Sequence, residues 1–278
     1  MTARPSPRRS GTNVNFFAQR FWLRCVERNT GLLAVFLLFS CSGFDGQHKA
    51  AVKSLGQNTG VHLVELFTSE GCSSCPPADR LLEKIKDEDA AIVLSYHVDY
   101  WDKLGWKDPF SQAAFTERQR QYAGQFSLES IYTPQAVVNG GEEFVGSDEK
   151  KLRTALQKNS GGAVILSANA ERKNPETVQL RYSLANTSSL LLNITLVQSS
   201  ATTAVAGGEN GGHTLHHVNV VRKLLTIDPQ KEGSVEISVP ASLQQMPLSV
   251  VAFTQEKGSG RINGAVQLAL TSAEGGNQ

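Results

Sequence analysis

Two cysteines separated by two residues, Cys72-Ser73-Ser74-Cys75, carry the clearest chemistry in the chain. Sulfurs at that spacing can alternate between a dithiol and a disulfide. Upstream, Val61-His62-Leu63-Val64-Glu65-Leu66-Phe67 reads as a buried strand, and Leu81, Leu82 and Ile85 are spaced for a helix from Pro76 to Lys86. Pro76 suits the first turn of that helix, where its missing N–H would be unpaired anyway. A strand-to-helix turn sets Cys72 against backbone N–H groups and the positive end of the helix macrodipole, both of which favour a thiolate. Cys72 is then the attacking sulfur and Cys75, one turn on, the resolving one. A bridge this local constrains the unfolded chain little, so it is a poor structural staple. An inert reduced pair or half a zinc site are the alternatives, but no second C-x-x-C supplies the remaining zinc ligands.

Other residues could serve that pair. Glu65, inside the first strand, would be costly to bury unpartnered, and a desolvated carboxyl there could take a proton from Cys75. Glu70, beside Cys72, would oppose thiolate formation or simply lie at the surface. His97 and Asp99 end a second strand at the same sheet edge, where ligands gather in open α/β sheets. Trp101, in an aromatic and acidic loop with Tyr100 and Trp106, is a candidate substrate contact. Thr133-Pro134 precedes a third strand, and a cis bond there would present the Thr133 backbone to an extended substrate chain. His213, His216 and His217, with His97, Cys72 and Cys75, form the candidate copper or zinc set.

The elements that position these groups follow in order. Strands at 91–97, 135–139 and 143–145 and helices at 76–86, 112–126 and up to Asn159 give β-α-β-α-β-β-α, with a hairpin about Gly140-Gly141 and a helix cap at Ser147-Asp148. From Ala163 the pattern changes to short alternating runs between Asn-, Gly- and Pro-containing turns, which reads as a small antiparallel sandwich. The expected fold is an α/β thioredoxin-like domain at 60–160 followed by a small, mostly antiparallel β domain at 161–271. The C-x-x-C on a strand-to-helix turn is the thioredoxin-like placement. Residues 272–278 read as a disordered tail.

Six arginines before residue 30 precede Gly31-Leu-Leu-Ala-Val-Phe-Leu-Leu-Phe-Ser40, too short for a comfortable membrane span but suited to a secretory signal. Leu38-Phe39-Ser40-Cys41 resembles a bacterial lipobox, with Cys41 as the lipidated residue; simple cleavage near Ser42 and an uncleaved anchor are the alternatives. Residues 1–41 thus form a signal or lipoprotein segment and 42–59 a tether. Export leaves the mature fold with only Cys72 and Cys75. A net charge of +1 over 278 residues, with no basic block after the signal, argues against a nucleic-acid partner.

Longer stretches carry a family resemblance. Val64 to Asp79, His97 to Phe110, Phe115-Thr-Glu-Arg-Gln-Arg120, Tyr132-Thr-Pro-Gln135 and Val138-Asn-Gly140 resemble the exported bacterial proteins grouped as domain-of-unknown-function family 1223. The resemblance implies a thioredoxin-like fold and a secreted or membrane-attached location, and it implies no particular reaction.

The expected function is an exported thiol–disulfide oxidoreductase without a cofactor, acting on protein thiols and disulfides of the cell envelope. It would work with a separate redox partner and touch the membrane only through its N-terminal anchor. The rivals are a copper-binding metallochaperone and a non-catalytic binding module whose β region does the work.

Overall fold

The computed structural model describes residues 62–88, 91–158 and 166–270. The expected signal, lipidation at Cys41, tether and 272–278 tail lie outside these residues. Among the described residues no helix is long and apolar enough to cross a membrane.

Strands β1 (Leu63–Thr68) and β2 (Ile92–His97) are buried along their whole length, as parallel central strands covered on both faces must be. They pair in parallel from Leu63↔Ile92 to Thr68↔His97, and helix α1 (Pro76–Glu88) makes the crossover. Helix α2 (Ala113–Phe126) follows, then β3 (Gln135–Val138), antiparallel to β1, and β4 (Glu142–Val145), antiparallel to β3 at the sheet edge. Helix α3 (Glu149–Leu156) starts at Asp148, whose carboxylate accepts from the Lys151 N–H at 3.0 Å.

The second half corrects the expected architecture. Strands β5 (Leu166–Asn174), β6 (Thr177–Leu184) and β9 (Glu232–Ser238) form a three-stranded sheet. However, β7 (Leu190–Ala204), β8 (Thr214–Ile227), β10 (Leu248–Glu256) and β11 (Ile262–Leu270) join the first half in one eight-stranded mixed sheet, ordered β11-β10-β7-β8-β2-β1-β3-β4. The protein is therefore mostly β with three α-helices among the described residues, not a thioredoxin-like α/β domain followed by a separate small β domain.

The join lies between β2 and β8, which are parallel with Ser95 opposite Val220. Side chains stitch it: Ser95 Oγ donates to the Val218 carbonyl at 2.7 Å, and Asn219 Nδ2 to the Val93 carbonyl at 3.0 Å. Val218, Val220 and Val221 are buried because the sheet continues on both sides of them.

Three apolar clusters hold the layers together. On one face α1 and α3 cover Val64, Leu66 and Ala136 at one end, and the three-stranded sheet covers Leu192, Ile194, Val250 and Ala252 at the other. On the opposite face Phe115 and Tyr122 of α2 pack against Leu63, Phe67 and Leu94, and also against Val197, Val221, Val251 and Phe253. One helix thus buries side chains from both halves of the sequence in one apolar cluster.

Candidate functional site

The turn between β1 and α1 holds a closed disulfide, Cys72–Cys75, with Cα atoms 5.4 Å apart. Cys75 stands just before Pro76, and its carbonyl accepts from the N–H groups of Ala78 and Asp79 at 2.8 and 3.1 Å. Its own N–H donates to the Cys72 carbonyl at 3.1 Å. Ser73 and Ser74 between the cysteines are exposed, yet both cysteines are 0% exposed.

The loop between β7 and β8 is bonded to this turn. Asn210 Nδ2 donates to the carbonyls of Glu70 and Cys72, at 2.9 Å each. Glu209 Oε2 accepts from the Ser73 N–H at 2.9 Å and the Ser73 hydroxyl at 2.7 Å, and these bonds hold its carboxyl below the usual range.

Beside the disulfide lies a buried group of ionisable side chains drawn from both halves of the chain. Asp79 is four residues after Cys75, on the same side of α1, and its Oδ2 accepts from Thr68 Oγ1 at 3.1 Å. Glu70 Oε2 accepts from Trp106 Nε1 at 2.7 Å. His217, on β8, reaches between them, with Nε2 3.4 Å from Glu70 Oε1 and Nδ1 3.5 Å from Asp79 Oδ1. These are ion-pair separations rather than good hydrogen bonds. Burial opposes the charged imidazole, but Asp79 and Glu70 outweigh it and hold the His217 pKa up at about 9.

The His97 ring meets the His217 ring edge-on at 4.6 Å between centroids. Its Nδ1 lies 2.7 Å from Asp108 Oδ2, and because a carboxylate only accepts, Nδ1 carries the proton. Burial raises the Asp108 pKa, but His97 and the N–H groups of Glu70 and Phe110 outweigh it and leave it lowered. Glu70 Oε1, Asp79 Oδ1, His97 Nε2 and both ring nitrogens of His217 are buried without a hydrogen-bond partner. Native structures leave few such atoms, and five of these lie together here.

Not every anticipated residue joins this centre. Glu65 alternates to the α2 face of β1, away from α1 and the cysteines. There it takes both Arg118 Nε at 2.6 Å and Arg118 Nη2 at 2.9 Å, and the Tyr122 hydroxyl in a short hydrogen bond. A carboxylate so fully occupied, on the wrong face, has no path to Cys75, so the proton-transfer role expected of Glu65 is withdrawn.

Trp101 Nε1 donates to Thr133 Oγ1 at 2.8 Å, and the Thr133–Pro134 bond is cis. The histidine trio separates: His216 is exposed and meets Thr202 Oγ1 at 3.0 Å, whereas His213 lies 3.3 Å from the Asn210 carbonyl and only His217 turns inward. Among the described residues no three His, Cys, Asp or Glu side chains converge in a metal-binding group.

Sequence reasoning missed Asp79, Asp108, Glu209 and Asn210. Asp79 carries a local signal, its spacing of four from Cys75. The others are brought in by long-range packing that no spacing announces.

Comparison with known proteins gives a family but no activity. The family model described as Protein of unknown function (DUF1223) matches residues 63–255. A crystal structure of an Agrobacterium tumefaciens protein superposes with a TM-score of 0.58 at 28% identity, covering 77% of this chain and 96% of that one. A domain of the outer membrane lipoprotein Omp28 from Porphyromonas gingivalis gives a TM-score of 0.28 at 15% identity, covering 40% of this chain and 90% of that one. No curated protein matches.

Proposed function

The chain belongs to the DUF1223 family of proteins of unknown function, and we propose that its Cys72–Cys75 pair is the working couple of an exported thiol–disulfide oxidoreductase. The observation that carries this reading is the disulfide turn lying beside buried acid and imidazole groups that form ion pairs but leave several atoms without a hydrogen bond. A bridge with a sequence separation of 3 does little to stabilise a fold, and a structural bridge has no need of such neighbours.

In the oxidising direction a substrate thiolate attacks Cys72 Sγ. The Cys72–Cys75 bond breaks, and its electron pair leaves on Cys75 Sγ, which takes up a proton. A second substrate thiol loses its proton and attacks the first substrate sulfur, releasing Cys72 as a thiolate. The substrate gains a disulfide and the pair gains two electrons. The Cys72 thiolate is then stabilised by the N-terminus of α1. Asp79, four residues after Cys75, and His217, at 3.5 Å from Asp79, are the buried groups proposed to exchange a proton with Cys75. Trp101, Thr133 and Pro134 are the proposed contacts for the substrate chain.

The arginine-rich segment and the Gly31–Ser40 apolar run support an exported setting, and Leu38-Phe39-Ser40-Cys41 supports lipid attachment at Cys41. The partners are then envelope protein thiols and disulfides.

Trapping tests the proposal. With Cys25 and Cys41 replaced by alanine, Cys75→Ser protein incubated with a disulfide-containing model substrate such as insulin should accumulate a mixed disulfide through Cys72, and the Cys72→Ser,Cys75→Ser protein should accumulate none. No adduct with Cys75→Ser after the protein has been mildly unfolded and refolded in the presence of substrate would remove the reading.

A further inference from the structure

Thiol–disulfide exchange needs a nucleophile in line with the sulfur–sulfur bond, and both cysteines are 0% exposed. The loop between β7 and β8 is bonded to the disulfide turn and packs against the loop that holds Gly105. Residues 206–212 carry Gly207, Gly208, Gly211 and Gly212, and Gly208 and Gly212 take positive φ values of 70° and 84°. The loop is bonded to itself: Gly212 N–H donates to the Val205 carbonyl at 2.8 Å, Gly211 to Gly208 at 3.2 Å and His213 to Asn210 at 3.1 Å. Its polar hold on the disulfide turn rests on two side chains, Glu209 on Ser73 and Asn210 on Glu70 and Cys72. Gly207 is seated so closely against the neighbouring loop that a Cβ there would fall 2.4 Å from the Gly105 carbonyl oxygen.

Resting on the redox reading above, we propose that residues 206–212 form an autoinhibitory lid, which must lift before Cys72–Cys75 can exchange. The loop keeps its own shape through internal bonds and can leave as a unit about its glycines. The bonds to be broken are few, and one of the two anchoring side chains, Glu209, is exposed. In the closed state the lid shields the disulfide from small thiols; in the open state it uncovers Cys72, Ser73 and the N-terminus of α1 together. The β half of the chain thereby regulates chemistry carried by the α/β half.

The probe is dithiothreitol, with reduction of Cys72–Cys75 in the full chain followed by quenched alkylation. Glu209→Ala removes two bonds at an exposed position and should speed reduction about tenfold. Gly207→Val, which cannot seat against Gly105, should speed it at least as much for an unrelated reason. Neither variant should lose much more unfolding free energy in urea than the factor of ten corresponds to, about 1.4 kcal/mol, and reduction should stay insensitive to urea below the unfolding transition. Wild-type rates in both variants would overturn the lid, as would reduction that accelerates with urea in step with global unfolding. The redox reading fails separately, by the absence of a trapped Cys72 adduct, whatever these rates are.

Discussion

Two buried carboxylate clusters lie on opposite faces of the central sheet, and they are built on different terms. On the α2 face, Glu65 meets Arg118 through two hydrogen bonds and Tyr122 through a third, so both carboxylate oxygens are occupied. The Arg118 guanidinium also lies 5.1 Å from the centre of the Tyr122 ring and 5.3 Å from that of Phe253. Beside α1, Glu70, Asp79 and His217 approach at 3.4 and 3.5 Å and leave oxygen and nitrogen atoms unpaired. A satisfied ion pair fixes a core, whereas an unsatisfied one keeps groups ready to exchange protons at a cost in stability. Burial alone does not mark a catalytic acid; the proposed redox role rests on incomplete partnering beside the disulfide turn.

The strongest way to break this contrast is Arg118→Leu. It strands Glu65 as an unpaired buried charge and should cost about 3–5 kcal/mol in urea unfolding, with little change in the thiol exchange rate of the folded fraction. A large loss of exchange rate there would make the α2 cluster part of the chemistry.

His217 comes next. Its folded pKa of about 9 lies above the ordinary histidine value of 6.5, so the charged imidazole stabilises the fold fully below pH 6.5. That stability is lost as pH rises through about 9, and it amounts to roughly 3 kcal/mol. Urea midpoints across that range should fall in the wild-type protein and stay nearly flat in His217→Gln. An equal fall in both would place the titrating group elsewhere.

Trp106→Phe removes the indole donor from Glu70 and should cost about 1–2 kcal/mol, measured by urea unfolding. Glu70 is then one bond freer, so the His217-dependent part of the pH profile should grow; its disappearance would contradict the arrangement. The smallest effect belongs to His216. Exposed and one residue from His217, it should leave the pH profile unchanged when replaced by glutamine.

The sequence disclosed what is local. The strand before the cysteines, the helix after them, the Gly140-Gly141 hairpin and the Asp148 cap all follow from spacing and turn chemistry, and each forms within a few residues of its expected place. It misled where distant segments meet. The change of pattern at residue 163 looked like a domain boundary, although Val218-Asn219-Val220-Val221 is a continuous apolar run with one polar interruption, as a strand covered on both faces requires. That run docks beside β2, carries His217 to the disulfide turn, and so turns an apparent second domain into half of the candidate site. Glu65 misled differently: a strand alternates faces, and which face holds α1 is set by packing rather than by the strand itself.

The most direct test is the redox equilibrium of Cys72–Cys75 in the full chain, set in glutathione buffers from reducing to oxidising and read by thiol trapping once equilibrium is reached from both directions. The account predicts one reversible two-electron transition, with a potential between those of thioredoxin-like reductants and strong dithiol oxidants, about −270 to −120 mV. A disulfide that stays closed across the whole range would contradict it, and so would a dithiol that never closes.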